Sequence, residues 1–298
     1  LILFASIAVL IISKDYIDTL KIREILEILS KDSISILDGI NNSIESIEEV
    51  VKLTVNSLKN NGRLFYVGAG TSGRLGVLDA SECYPTFGVS RDRVQGIIAG
   101  GKEALWKSIE GAEDDITKVS NIVKHNSISK SDTVIGISCS GIAPFVLEFL
   151  KESKSQGSST ALITFNPLND INYVNCIVRV LVGPEIISGS TRLKGGTATK
   201  IILNMITTTT MIKLNKTYGN YMVDLKVMNQ KLLERGISIV SSITGIGKKE
   251  ATKLLDKSNG HVKNAIAMQI LDISYIESCK LLDSNDGSLR KVINEHDK

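Results

Sequence analysis

Proline is scarce in this chain, four in 298 residues, and the four stand at 85, 144, 167 and 184, between or at the ends of apolar runs, where a missing backbone donor does least damage. Cysteine is equally sparse. Cys83, Cys139, Cys176 and Cys279 are scattered without a C-x-x-C pair, which excludes a disulfide framework and fits a reducing, cytoplasmic compartment. The three histidines, His125, His261 and His296, show no metal-ligand spacing, so an intrinsic zinc enzyme is not expected. Aromatic residues make up only 5%, and 35 basic side chains stand against 32 acidic ones for a net charge of +3. Neither a basic nucleic-acid binder nor a stacking platform for single strands is expected from that balance. The apolar run Leu1–Ile12 falls short of the roughly 20 residues that span a bilayer. It also lacks the basic flank and small-residue cleavage site of a secretory signal, so no membrane partner is expected. Because the chain opens with Leu, this run reads either as a helix packed on the core or as a fragment or start-site artefact.

What is present is an ordinary globular composition, 43% hydrophobic and 22% charged, long enough for one large domain plus appendages. From Asp18 to Lys59 apolar residues recur at helical spacing, which predicts two or three amphipathic helices over an N-terminal segment, 1–59, with Gly62 as C-terminal cap. The period then changes. Short apolar runs at 63–67, 94–99, 133–137, 160–164 and 176–181 alternate with helical stretches at 103–123 and 144–153. That alternation predicts an α/β fold, a three-layer α/β/α sandwich around a five-stranded parallel sheet, over 60–240. Helical patterns resume at 193–214 and 222–241. A Thr-Gly-Ile-Gly linker at 244–247 then leads to three short amphipathic helices, a small C-terminal bundle over 241–298.

The strongest local feature is Gly68-Ala-Gly70-Thr71-Ser72-Gly73-Arg74 after an apolar strand. Glycines let backbone approach an anion, amides at the following helix start point toward it, and Thr71 and Ser72 add hydroxyl donors. The glycine spacing matches a dinucleotide fingerprint only in part; a tight packing turn is the alternative, to which the hydroxyls would be superfluous. A second loop, Ser138-Cys139-Ser140-Gly141, follows the 133–137 strand. Two Gly/Ser loops at the carboxyl edge of one sheet suit a phosphorylated sugar, whereas either serine alone reads equally as a helix N-cap.

The stretch Gly68-Ala-Gly-Thr-Ser-Gly-Arg-Leu-Gly-Val-Leu-Asp-Ala-Ser-Glu82-Cys83 resembles the signature of the N-acetylmuramic acid 6-phosphate etherases, which carry a sugar-isomerase (SIS) domain. Ile98-Ala-Gly-Gly101, Glu110-Gly-Ala-Glu113-Asp114-Asp115, Asn166-Pro167, the segment from Gly183 to Ala198 and Tyr218–Asp224 resemble it too. The likeness runs from about Ile17 to the C-terminus. It implies removal of the D-lactyl group from N-acetylmuramic acid 6-phosphate by elimination and hydration, in cell-wall recycling. On that resemblance Glu113 is the base at C2 and Glu82 the acid to the leaving oxygen, two roles that need separated pKa values. By residue type alone, each reads as a surface carboxylate.

The resemblance further implies phosphate or substrate contacts from Gly70, Thr71, Ser72, Gly73, Ser138, Ser140, Gly141, Ser188, Ser190 and Lys194; Lys194 and Arg192 read equally as partners of an acid. A homodimer is implied, with the apolar helices after Lys194 as its surface, and the C-terminal bundle resembles a ubiquitin-associated domain. Cys83 and Cys139, without a histidine nearby in sequence, read as inert thiols. This chain departs from the pattern at residues 1–16, at Tyr84 (usually Pro), and at Ile142 and Ala143, where a polar residue and Thr are usual. Thinner hydrogen bonding is therefore expected in the second loop. Two rivals share the fold: a non-catalytic phosphosugar-binding regulator of the glucokinase regulatory protein type, which needs neither glutamate, and an aldose–ketose isomerase, which releases no lactate.

Overall fold

The computed structural model describes residues 17–296 apart from residue 228; the apolar run at 1–12 lies outside the described residues. A 3-10 turn at Ile17–Thr19 leads into α1 (Ile22–Asp32), α2 (Ile34–Asn41) and α3 (Ile44–Lys59). Helix α3 is capped at Asn60, not at Gly62 as the sequence suggested. Gly62 instead packs flat on the neighbouring turn, where an added Cβ would lie 1.8 Å from the Ser131 carbonyl oxygen.

Strands β1 (Leu64–Gly68), β2 (Val94–Ile98), β3 (Thr133–Ile137), β4 (Ser159–Thr164) and β5 (Cys176–Arg179) form one parallel sheet in the order β2-β1-β3-β4-β5. The register pairs Leu64 with both Val94 and Thr133, so the first three strands end level. Because side chains alternate across a strand, the sheet has two apolar faces. Leu64, Tyr66, Ile135, Ile163 and Val178 pack against α3, α4 (Gly70–Phe87) and α7 (Lys194–Lys213). Phe65, Val67, Val134 and Leu162 meet α5 (Val119–His125) and α6 (Pro144–Ser155) on the other face. The three layers are those predicted.

The helix expected at 103–123 is mostly absent. Only a 3-10 turn at Lys102–Leu105 and the short α5 are helical there. Gly111 adopts φ +71°, and Asp115 accepts hydrogen bonds from the Thr117 amide and hydroxyl, holding a local turn that competes with helix. Likewise 222–227 is irregular, and the second late helix, α8, runs Gln230–Thr244. Gly245, in the left-handed region, ends it.

The expected C-terminal helices are α9 (Lys248–Lys257), α10 (Val262–Leu271) and α11 (Tyr275–Ser284), and α12 (Leu289–His296) joins them. They share one apolar cluster with Val223, Leu225, Ile239 and Val240, so this small bundle leans on the segment before it. Buried Lys263 ties it down, donating to the Asn215 and Gly287 carbonyls and to Asp224 at 2.7 Å.

Candidate phosphosugar site at the β1/β3 crevice

In this order the sheet grows to one side of β1 with β2 and to the other from β3 onward, so the winding reverses between β1 and β3 and a crevice opens at their carboxyl ends. Both Gly/Ser loops lie there. In the first, β1 ends at Gly68 and α4 begins at Gly70, so the turn is as tight as a chain allows. A Cβ on Gly68 would lie 2.6 Å from the Gly73 amide nitrogen, and one on Gly73 would lie 2.6 Å from the Gly68 oxygen. Only glycine lets the strand end and the first helical turn approach so closely. The N-cap residue, Ala69, supplies no side-chain bond. The opening amides of α4, at Gly70, Thr71 and Ser72, therefore face the crevice for an anion to use.

The second loop is built differently. Ser138 Oγ accepts the amides of Gly141 and Ala143 at 3.1 and 3.3 Å, and Ser140 Oγ accepts that of Ile142 at 3.3 Å. The two hydroxyls lie 3.3 Å apart. Both serines thus serve the loop's own backbone, and buried Ser138 is its keystone. Gly141 turns the chain at φ +79°. Exposed Ile142 projects from this loop.

Cys139 of the second loop reaches toward the first, its Sγ 3.7 Å from Ser72 Oγ. Burial pushes this thiol up; the Ser72 and Thr191 hydroxyls pull it partly back, while the charges of Glu185 and Glu113 raise it further. This thiol marks the point where the second loop, the start of α4 and the start of α7 meet.

Arg74, opening the second turn of α4, donates to the Leu105 and Lys107 carbonyls, both at 3.1 Å, and so ties the segment after β2 to the crevice. Farther along, the Glu113 carbonyl accepts the Phe145 amide at 2.9 Å, at the start of α6. Glu113 is therefore pinned beside the second loop with its side chain exposed. Glu82 is not brought there. It lies on the exposed face of α4, twelve residues beyond Gly70, about 18 Å along the helix axis. Its neighbours Ser81, Cys83 and Tyr84 line a separate cleft of about 590 Å³ with Asn229 and Leu232.

Ser188 and Ser190 lie on the irregular segment ahead of α7. Lys194, expected among the anion-binding groups, is buried, with Nζ 2.7 Å from Asp32 Oδ1. Its alternative reading as the partner of an acid is the one the structure displays. Sequence reasoning missed Glu185, whose carboxylate accepts the Lys194 and Gly195 amides, each at 2.9 Å. An acid nine residues before a helix start carries no capping signature. Among the described residues no group of three or more His, Cys, Asp or Glu side chains is placed to hold a metal ion, and no helix is long and apolar enough to cross a membrane.

A doubly wound sheet with two Gly/Ser loops at its switch point defines a protein of the SIS class. The sequence comparisons agree: residues 45–154 match the glucokinase regulatory protein N-terminal SIS domain, and residues 219–279 match the C-terminal lid domain of glucokinase regulatory protein. The chain belongs, more narrowly, to the N-acetylmuramic acid 6-phosphate etherase family. It is 44% identical over 278 residues to the etherase of Clostridium acetobutylicum, covering 93% of this chain and 92% of the relative. With that of Oceanobacillus iheyensis it shares 46% over 277 residues, covering 93% and 94%. A solved putative phosphosugar isomerase from Bacteroides fragilis aligns at TM-score 0.49 and 18% identity, covering 69% of this chain and 97% of that one.

Proposed function

We propose that this protein cleaves the D-lactyl ether of N-acetylmuramic acid 6-phosphate, giving N-acetylglucosamine 6-phosphate and D-lactate. The observation that carries this reading is the 44% identity to an etherase over nearly the whole of both chains, with the Gly68–Cys83 and Glu110–Asp115 motifs intact. The phosphate sits at the amino end of α4, against the amides of Gly70–Ser72 and the Thr71 and Ser72 hydroxyls, where the helix dipole favours negative charge. Ser138, Ser140 and Gly141 shape the opposite wall, and Ser188 and Ser190 border it.

In the ring-opened sugar the aldehyde acidifies the C2 proton. Glu113 removes it, lactate leaves from C3 as Glu82 protonates the ether oxygen, and water adds to the unsaturated aldehyde. No step calls for a metal or another cofactor. Because Glu82 stands about 18 Å along α4 from the crevice, the acid reaches the reacting ether only from a second copy of the chain, and the enzyme works as a homodimer. Supporting that assembly, Ile22, Leu26, Ile34 and Leu37 on α1 and α2 are 79%, 60%, 64% and 58% exposed, an apolar face suited to a second copy. This moves the dimer surface from α7, whose apolar residues are largely buried, to the N-terminal helices. The four free thiols fit a cytoplasmic setting.

Purified protein with N-acetylmuramic acid 6-phosphate is expected to release D-lactate. Mixing inactive Glu82→Gln and Glu113→Gln chains restores part of that activity if the site is shared. Phosphosugar binding without lactate would instead favour a regulator, a reading to which the likeness to two glucokinase regulatory protein domains lends support.

A further inference from the structure

We infer that Lys194 and Glu185 are positioning residues: together they seat the first turn of α7 against the Cys139 loop and do not themselves hold the substrate's anion. The inference deepens the phosphosugar reading above and rests on it for the choice of ligand.

Lys194 is held twice. Its ammonium, 5% exposed, meets Asp32 at 2.7 Å, and its amide donates to Glu185 Oε2 at 2.9 Å. A lysine this buried has lost its hydration, and leaving its carboxylate for a phosphate would strand a charge in a poorly solvated place. The α7 amino terminus is closed to an anion as well. Two of its orphan amides, of Lys194 and Gly195, are taken by the two oxygens of Glu185, and that carboxylate already answers the positive end of the helix dipole. In this respect α7 is the opposite of α4, whose N-cap is an unadorned alanine.

What the two locks hold in place is a wall of the crevice. A Cβ on Gly195 would lie 3.2 Å from Cys139 Sγ and 3.5 Å from Glu185 Oε1; one on Gly196 would lie 3.4 Å from Thr71 Cγ2. The first turn of α7 therefore touches both the second loop and the residue whose hydroxyl faces the anion. A small displacement of α7 moves Cys139 and Thr71 with it, and catalytic geometry tolerates little displacement. Asp32 is the last residue of α1, so the N-terminal helices are fastened to the same wall across 162 residues of sequence.

The test is a double-mutant cycle read by calorimetric binding of N-acetylglucosamine 6-phosphate, with melting temperature and D-lactate release measured alongside. Asp32→Asn and Lys194→Met should each weaken binding by the same factor, about tenfold or less, and the double variant should be no worse than either, because the two groups act as one. Lys194→Arg should keep most of the affinity. Glu185→Gln, which keeps one acceptor and the side-chain shape, should raise KM several-fold more than it lowers kcat. A hundredfold loss in Lys194→Met with Asp32→Asn unaffected, or losses that add in the double variant, would overturn the inference by making Lys194 a ligand. An unchanged KM in Glu185→Gln would overturn it for Glu185. Should Lys194→Met fail to fold, Asp32→Asn decides: wild-type affinity in that variant refutes the positioning role. A wild type that binds the phosphosugar yet releases no lactate refutes the etherase reading alone and leaves the binding cycle intact.

Discussion

The two glycine- and serine-rich loops at the crevice look alike in sequence and do opposite things. After β1, the chain turns with no side-chain help. The close approach of Gly68 and Gly73 makes the turn, and no side chain caps the opening amides of α4. After β3, Ser138 and Ser140 bind the loop's own amides at Gly141, Ala143 and Ile142. The first loop leaves its donors to a ligand; the second uses them to stay rigid. A hydroxyl beside a helix start is thus not evidence of a phosphate contact until its partners are known.

The largest effects expected concern the carboxylates attached to the two loops, Glu82 through α4 and Glu113 through its carbonyl bond to α6. Glu113→Gln should stop exchange of the C2 proton with deuterium, followed by NMR, and lower turnover about 10²–10⁴-fold. Glu82→Gln should block lactate release to a similar degree while exchange continues. Equal loss of exchange in both would show that one carboxylate only places the other, and full activity in both would remove them from the mechanism.

Next comes the glycine contact that distinguishes the first loop. Gly73→Ala puts a methyl 2.6 Å from the Gly68 oxygen and from Ile98 Cγ1, and should destabilise the fold by about 1–3 kcal/mol in thermal melts while abolishing measurable phosphosugar binding. Binding that survived would mean the turn is not where the phosphate sits.

The serines give the sharpest contrast at smaller cost. Ser72→Ala should raise KM about tenfold through a lost bond to a charged group, with melting unchanged. Ser138→Ala should do the reverse, lowering stability by about 1 kcal/mol as a lost cap does, with a smaller change in KM. Matching behaviour in the two variants would erase the distinction between the loops.

The smallest effect lies behind the first loop, where Asp79 of α4 is 4% exposed, with Oδ2 unpartnered near the buried Tyr66 hydroxyl. Burial raises its carboxyl above the usual range, despite Thr207, Lys200 and Tyr66 pulling the other way. Since the folded state holds this proton more tightly than the unfolded chain, stability falls as pH climbs from the ordinary Asp value through the raised one. Asp79→Asn should therefore melt like the wild type in acid and progressively above it as pH rises through that window. A constant offset at every pH would place the effect in packing instead.

How much of this was legible in the sequence depended on distance along the chain. The β1–α4 loop could be read directly because all its parts fall within seven residues and glycine tolerates the close approach. At 103–123 the apolar spacing predicts helix, while Gly111 and the Asp115–Thr117 turn break the pattern locally. The chain placed Lys194 beside a plausible anion site, and only folding supplied Asp32, 162 residues earlier, as its partner.

The sequence by itself determined the layer order and the first loop, because alternating apolar periods and glycine turns act through neighbours in the chain. It also carried the family, whose motifs are contiguous. Tertiary structure alone decided which polar groups were already taken. Ser138 by its own loop, Lys194 by Asp32 and the α7 amides by Glu185 are pairings of groups that must be satisfied once water is excluded, and burial is a property of the folded chain.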